Sequence, residues 1–416
     1  MRPAPEAMRF PSLLFQHAPS SETPAGKSGS LLRRVLVTLV VMALIATRKH
    51  DNFTNPQFWA EDGSLFFADA EIFGWSVIFR SYESYLHLLP RLIAQGSTYL
   101  PLSIIPVYFA TAALFVTGAI AWAIQSPRLR IPAGWAGALA IGLIPHRGEV
   151  YLAICNLQWI TAIGLFALAA MDDARTTGER IGDLGLLIVA GLTGPFVILA
   201  LPLFAWRALR RRSTWSFVLL GIAVGCTLAH LSTLRGRPPQ PITEAWHPIR
   251  HAALILQRTW FRLFTGPIDI RTITGTWILI LLSAATVFAL WWRRAKVQSA
   301  WILFFAAVIV IAATGYKARI DTWAATEQYN ADRYFFVSEV CLVWLLAALC
   351  VSAGIFGRIL TAAVLIAPVA VNFSWFIYPP EADQHWSTYA AQIAEGKRTE
   401  VPILPQGFII RHPGRR

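Results

Sequence analysis

Eleven apolar runs decide what kind of fold this chain can adopt: 31–47, 101–124, 133–145, 157–170, 184–193, 195–206, 215–234, 275–292, 299–315, 334–353 and 359–378. A helix needs roughly 20 residues to cross a hydrocarbon core, and the longer runs reach that length. They are continuously apolar and rich in Leu, Ala, Ile and Val, whereas the strands of a membrane barrel alternate over about ten residues. The pattern predicts an all-α polytopic membrane helix bundle of about 11 spans. The runs at 133–145, 184–193 and 195–206 are too short to cross unaided. They are expected as half-helices, tilted pieces or parts of a hairpin buried in the bundle.

The net charge of +13 is unevenly spread along the chain. With the N-terminus inside, the connections carrying Arg128 and Arg130, Arg207 and Arg210 to Arg212, and Arg293, Arg294 and Lys296 all fall on the same inner side. Basic residues in short loops set orientation, so the chain reads as N-in and C-out. The high pI therefore reflects topology. No basic region is interleaved for base stacking, which argues against nucleic acid as a partner. Residues 1–30, rich in Pro, Ser and Ala, read as a disordered tail on the inner side, and 379–416 as a short outer tail. No small-residue cleavage site follows the first run, which reads as an uncleaved anchor. Cys155, Cys226, Cys341 and Cys350 have no CxxC spacing and read as small buried hydrophobes.

Four outer segments are longer or more polar than a connection requires. In 48–100, Glu61-Asp62-Gly63 follows Phe58-Trp59-Ala60 and precedes Leu65, Phe66, Ile72, Phe73 and Phe79 at near-heptad spacing. This predicts a helix lying in the interface, started by acidic residues that suit its dipole. A second short helix is expected from Glu83 to Thr98, kinked at Pro90, with His87 and Arg91 four apart on one face. Those two either snorkel into headgroups or face a ligand. In 146–159, Glu149, Asn156, Gln158 and Trp159 suit either sugar hydroxyls or helix capping and interfacial anchoring. In 235–274, a helical wheel over 249–264 places Ala253, Leu256, Trp260, Leu263 and Phe264 opposite His251, Arg258 and Arg262. That basic stripe suits anionic lipid or a substrate phosphate. The fourth segment, 316–335, ends in Asp332-Arg333-Tyr334, where Arg333 either pairs with Asp332 or reaches a phosphate. The break Gly191-Leu192-Thr193-Gly194-Pro195 is either a packing turn or the backbone lining of a cleft.

These residues carry a resemblance. Trp59-Ala60-Glu61-Asp62-Gly63, with Tyr85-Leu86-His87-Leu88-Leu89-Pro90-Arg91, Asn156-Leu157-Gln158-Trp159, Leu192-Thr193-Gly194-Pro195-Phe196 and Asp332-Arg333-Tyr334-Phe335, resembles the C-type (GT-C) membrane glycosyltransferases. It also resembles bacterial membrane proteins loosely grouped with them. The chain departs from many members in having only 379–416 after the last run, and in lacking a second clear acidic motif.

The resemblance implies a bacterial inner-membrane enzyme. It would move a sugar from a polyprenyl-phosphate donor to a lipid or glycan acceptor of the cell envelope, by a single inverting displacement. Asp62 is then the expected general base, with Glu61 orienting it or binding acceptor or metal. Arg258, Arg262 and Arg333, with His87 and Arg91, are candidates to meet the leaving phosphate. Asn156, Gln158, Trp159 and Tyr334 are candidates to bind substrate. Adjacent carboxylates can share a hard cation such as Mg2+ or Mn2+, but no further ligand set is evident and no obligatory metal is expected. Two other classes remain: a flippase or other transporter of a lipid-linked substrate, and a non-catalytic scaffold of envelope assembly.

Overall fold

The computed structural model describes residues 26–146, 149–233, 256–266, 273–292, 298–317, 332–351 and 354–414. Of the tail expected over 1–30, residues 1–25 lie outside the described residues and 26–30 open the first helix; the stretches 234–255 and 318–331 of the polar segments, His251 included, also lie outside.

The chain is mostly helical. Its main helices are α1 (Gly26–Arg48), α2 (Ala68–Phe73), α3 (Leu88–Ser97), α4 (Ile105–Ala123), α5 (Gly134–Leu143), α6 (Leu157–Ala170) and α7 (Thr177–Gly191). There follow α8 (Phe196–Arg211), α9 (Thr214–Thr233), α10 (Ile273–Trp292), α11 (Trp301–Lys317), α12 (Arg333–Val351), α13 (Gly354–Val371) and α14 (Trp386–Ala394). Strands β1 (Thr399–Ile403) and β2 (Phe408–His412) close the chain as an antiparallel hairpin, so the expectation of an all-α fold holds except at this end.

Among the described residues, five helices are long and apolar enough to cross a membrane. They are Ser30–Arg48, Leu102–Ala123, Thr214–Thr233, Arg333–Val351 and Gly354–Val371. The apolar runs at 133–145, 157–170 and 299–315 form shorter helices that lean on their neighbours. Those at 184–193 and 195–206 continue into polar turns of α7 and α8. Outward-facing Leu36 and Leu39 of α1, Leu228 of α9 and Phe356 and Ile359 of α13 leave an apolar periphery suited to lipid.

Helix α6 is buried at all of its residues, which places it at the centre of the bundle, as an all-round apolar helix requires. Around it pack α4, α7, α8 and α12, while α12 also contacts α5, α11 and α13. Local chemistry sets several boundaries. Thr176 and Glu179 form a reciprocal capping box at the start of α7. Pro106 opens α4, where its missing N–H has no helical partner to lose. Pro90 likewise falls in the first turn of α3, so the expected kink does not form.

The two ends of the bundle differ in chemistry. At one end Arg128 makes a two-pronged pair with Asp183 (2.9 and 2.6 Å), Arg130 pairs with Asp172 (2.8 Å), and Arg207 pairs with Asp173 (2.8 Å). The loops flanking α4, α6 and α8 are thereby tied together. The polar motifs of the outer segments gather at the other end.

Candidate functional site

The acidic motif begins with a backbone reversal. Ala60 sits in the left-handed region (φ 42°), and its N–H donates to the carbonyl of Leu404 beyond β1. Leu404 N–H in turn donates to Phe58 (3.4 Å). The hairpin therefore clamps the turn from behind. Gly63 is required by this closeness: a Cβ there would lie 2.8 Å from Ile410 Cδ1 and 2.9 Å from Ile403 Cδ1. Residues Asp62–Phe67 then run as a π-helical segment, a form common at functional sites.

The reversal sends the two carboxylates to different places. Asp62 is 3% exposed, and its oxygens accept from the backbone N–H groups of Ile154 (2.9 Å) and Cys155 (2.8 Å). It caps the turn that leads into α6. Burial pushes its pKa up to about 7, against the lowering effect of the two amides. Glu61 instead lines a cleft of about 300 Å³ and accepts from the Tyr82 hydroxyl (3.3 Å).

The opposite wall of the cleft starts from a tight turn. Tyr82 and Tyr85 exchange backbone hydrogen bonds (3.0 and 3.1 Å) around Glu83 and Ser84, whose φ values of 50° and 70° suit a type I′ turn. Thr233 at the end of α9 holds it by donating to the Ser84 carbonyl (2.8 Å). Burial raises the pKa of both Tyr82 and Tyr85, the latter to about 12, so both hydroxyls stay protonated and able to donate. His87 packs against Tyr85 with ring centroids 4.6 Å apart.

The remaining wall comes from α6, α8 and α12. Gln158 donates to the Tyr85 hydroxyl (3.4 Å), and Asn156 donates to the Glu149 carbonyl (2.6 Å). The Glu149 carboxylate pairs with Arg333 (2.9 Å), whose side chain keeps 38% of its surface open. Burial raises Glu149 and the Arg333 cation offsets part of that rise. Trp159 stands edge-on to Phe196 and Tyr334 at 4.9 and 5.3 Å. The break at 191–195 is a packing turn whose last residue reaches the cleft. His87 and Thr193 pair as an isolated bridge, which fixes the turn, while Pro195 and Phe196 line the cleft. Gly194 has φ 91°, and a Cβ there would meet Gln158 Oε1.

Seven of the eleven expected site residues thus share one cleft: Glu61, His87, Asn156, Gln158, Trp159, Arg333 and Tyr334. Four do not. Asp62 is turned inward. Arg91 is buried against Asp69 (3.1 Å) and the Arg80 carbonyl (2.9 Å), where it anchors the motif's own helix. Arg258 and Arg262 are buried too. Both bind Asp332, at 2.5 and 2.9 Å, from a π-helical segment (Gln257–Phe261) and the turn after it. The expected basic stripe facing headgroups is therefore an internal ion cluster. Of the apolar residues after the acidic motif, Phe66 is buried beside the cleft, while Ile72, Phe73 and Phe79 stay exposed.

Sequence reasoning missed Tyr82 and Glu83, which lie on the cleft beside Glu61. The Tyr-x-x-Tyr spacing of Tyr82 and Tyr85 was the available signal, masked because the turn contains no glycine. Asp62 and Glu61 are turned apart, Asp62 toward the backbone amides of Ile154 and Cys155 and Glu61 toward the cleft, so the adjacent pair does not converge on one point as a shared cation would require. Comparison with protein-family models, curated proteins and solved structures finds no match to this chain.

Proposed function

We propose that the cleft is the site of a membrane glycosyltransferase that moves a sugar from a polyprenyl-phosphate donor to an acceptor hydroxyl of the cell envelope. The observation that carries this reading is the convergence on one cleft of two carboxylates, Glu61 and Glu83, with two amides, an Arg and several aromatic faces. Sugar hydroxyls suit such a mixture of polar donors and rings, and about 300 Å³ is within the range of small-ligand sites.

In this mechanism Glu61, rather than Asp62, takes the proton of the acceptor hydroxyl, because Glu61 is the one that faces the cleft. The acceptor oxygen forms the new bond to the anomeric carbon as the bond from that carbon to the phosphate oxygen breaks. Arg333 meets the departing phosphate with the N–H groups that Glu149 leaves open. Tyr82 holds Glu61 in place, and Asn156, Gln158, Trp159 and Tyr334 orient the sugar. Asp62 supports the wall that carries Asn156 and Gln158. No step is assigned to Mg2+ or Mn2+.

The same reading covers placement: a bacterial inner-membrane protein, N-terminus cytoplasmic, with the cleft and C-terminal tail on the outer side. The helices α5, α6, α7, α8, α10 and α11 would complete eleven spans beside the five long ones, the odd number that puts the two termini on opposite sides.

Release of polyprenyl phosphate is the direct test. Wild type, Glu61→Gln and Asp62→Asn in nanodiscs would be offered a panel of polyprenyl-phosphate sugars with candidate acceptors. Release by wild type, absent in Glu61→Gln, supports transfer with Glu61 as base. Equal release by Glu61→Gln removes it from that role. A second reading has one observation in its favour: Glu339 is buried in the middle of α12, and charge within a membrane helix marks substrate or ion pathways. Movement of an intact lipid-linked sugar across the bilayer, without cleavage, would favour that transporter reading.

A further inference from the structure

A second cavity, of about 460 Å³, lies apart from the cleft, between α4 and α7 over the flank of α6. Leu89 closes it toward the cleft, and Arg34 of α1 closes it at the other end with Arg128 and Glu179. Between them it follows α7 from Glu179 to Ala190, about 16 Å at 1.5 Å per residue. Val116, Ile120 and Leu186 give it apolar sides. Gly182 and Gly185 leave its α7 side open, for a Cβ built on either meets nothing within 4 Å.

The charges at its far end are not equivalent. Asp183 is satisfied by both prongs of Arg128 and by the Trp215 N–H (3.2 Å). Glu179 accepts from the backbone of Arg175 and Thr176 in the capping box. Arg34 lies over the Trp122 ring (4.0 Å) and donates to the Trp122 carbonyl (3.3 Å). Among the described residues it has no carboxylate in ion-pair range, and its Nε makes no hydrogen bond. A cation on a candidate span, without a counter-charge among the described residues and at the mouth of an apolar groove, is matched by an anion that carries a hydrocarbon chain.

We propose that this groove seats an anionic phospholipid, with its phosphate at Arg34 and one acyl chain along α7. The site lies toward the end of the bundle opposite the cleft. The proposal is independent of glycosyl transfer.

Native mass spectrometry of the delipidated protein, titrated with phosphatidylglycerol or phosphatidylcholine, tests it. Phosphatidylglycerol should bind about five-fold more tightly, the worth of one basic group near a lipid phosphate. Arg34→Gln should remove that preference and Arg34→Lys should retain it. Gly182→Leu with Gly185→Leu should weaken both lipids by filling the groove. Millimolar inorganic phosphate should displace neither. Equal binding of the two lipids, indifference to the leucines in a folded variant, or displacement by inorganic phosphate would each overturn the proposal. Should the double leucine variant fail to fold, the Arg34 pair decides alone.

Discussion

At Asp62 both carboxylate oxygens accept from backbone N–H groups, so replacement by Asn turns one acceptor toward a donor. The unmatched buried amide should cost about 1–3 kcal/mol, read as a lower thermal midpoint in nanodiscs. The pH response follows from burial, which lifts Asp62 from 3.8 to about 7. Between those values the folded protein holds a proton that the unfolded chain has released. Stability should therefore be fully present at the acid end and fall as pH rises toward 7, by at most about 1.4 kcal/mol per unit. The wild type should show this slope and Asp62→Asn should not; equal slopes would contradict the assignment. At Glu61 the expected effect is on rate: Glu61→Gln should lower transfer about 10²- to 10⁴-fold with an unchanged midpoint. Nothing in Glu61-Asp62 as a string distinguishes the two. The difference comes from the left-handed Ala60, which a sequence pattern does not announce.

The elements around the cleft were legible where local chemistry decides them and illegible where packing does. The acidic turn, the break at 191–195 and the amides at 156 and 158 were visible because Gly, Pro and polar residues interrupt apolar runs. The wheel drawn over 249–264, which turned Arg258 and Arg262 toward lipid or a substrate phosphate, misplaces those two residues for a physical reason. A π-helical segment changes the angular step between side chains, and Asp332, 70 residues away, draws Arg262 inward. Tail and motif also meet as elements. Gly63→Ala would drive a methyl into Phe58, Ile403 and Ile410, so hairpin and acidic turn should separate. About 1–3 kcal/mol of destabilisation is expected, together with faster proteolysis of the tail. Retention of both midpoint and protection would refute that clamp. Gly194→Ala meets a similar obstacle, at φ 91° and against Gln158. It should weaken sugar binding through loss of the Gln158–Tyr85 contact, measurable as reduced donor affinity.

For the whole molecule, the hairpin at 399–412 packs on the turn at 58–63, so tail and acidic motif must occupy the same membrane side. Single cysteines at Glu400 and Arg80 should be labelled by an impermeant maleimide from the same face, and one at Arg210 from the other. Labelling of Glu400 with Arg210 would sink this arrangement. The amino-acid sequence by itself determined that the chain is a membrane-type helical protein, because burial in lipid requires long apolar runs whatever their order. It also marked the polar motifs, because charge amid such runs is costly and must be satisfied. Only the tertiary structure decided which charges face a cleft and which face each other. Arg258, Arg262 and Arg333 are alike as residues, and the carboxylate that folding brings beside each, Asp332 or Glu149, sets what is left for a ligand. That choice depends on contacts between segments far apart in the chain, which no local spacing records.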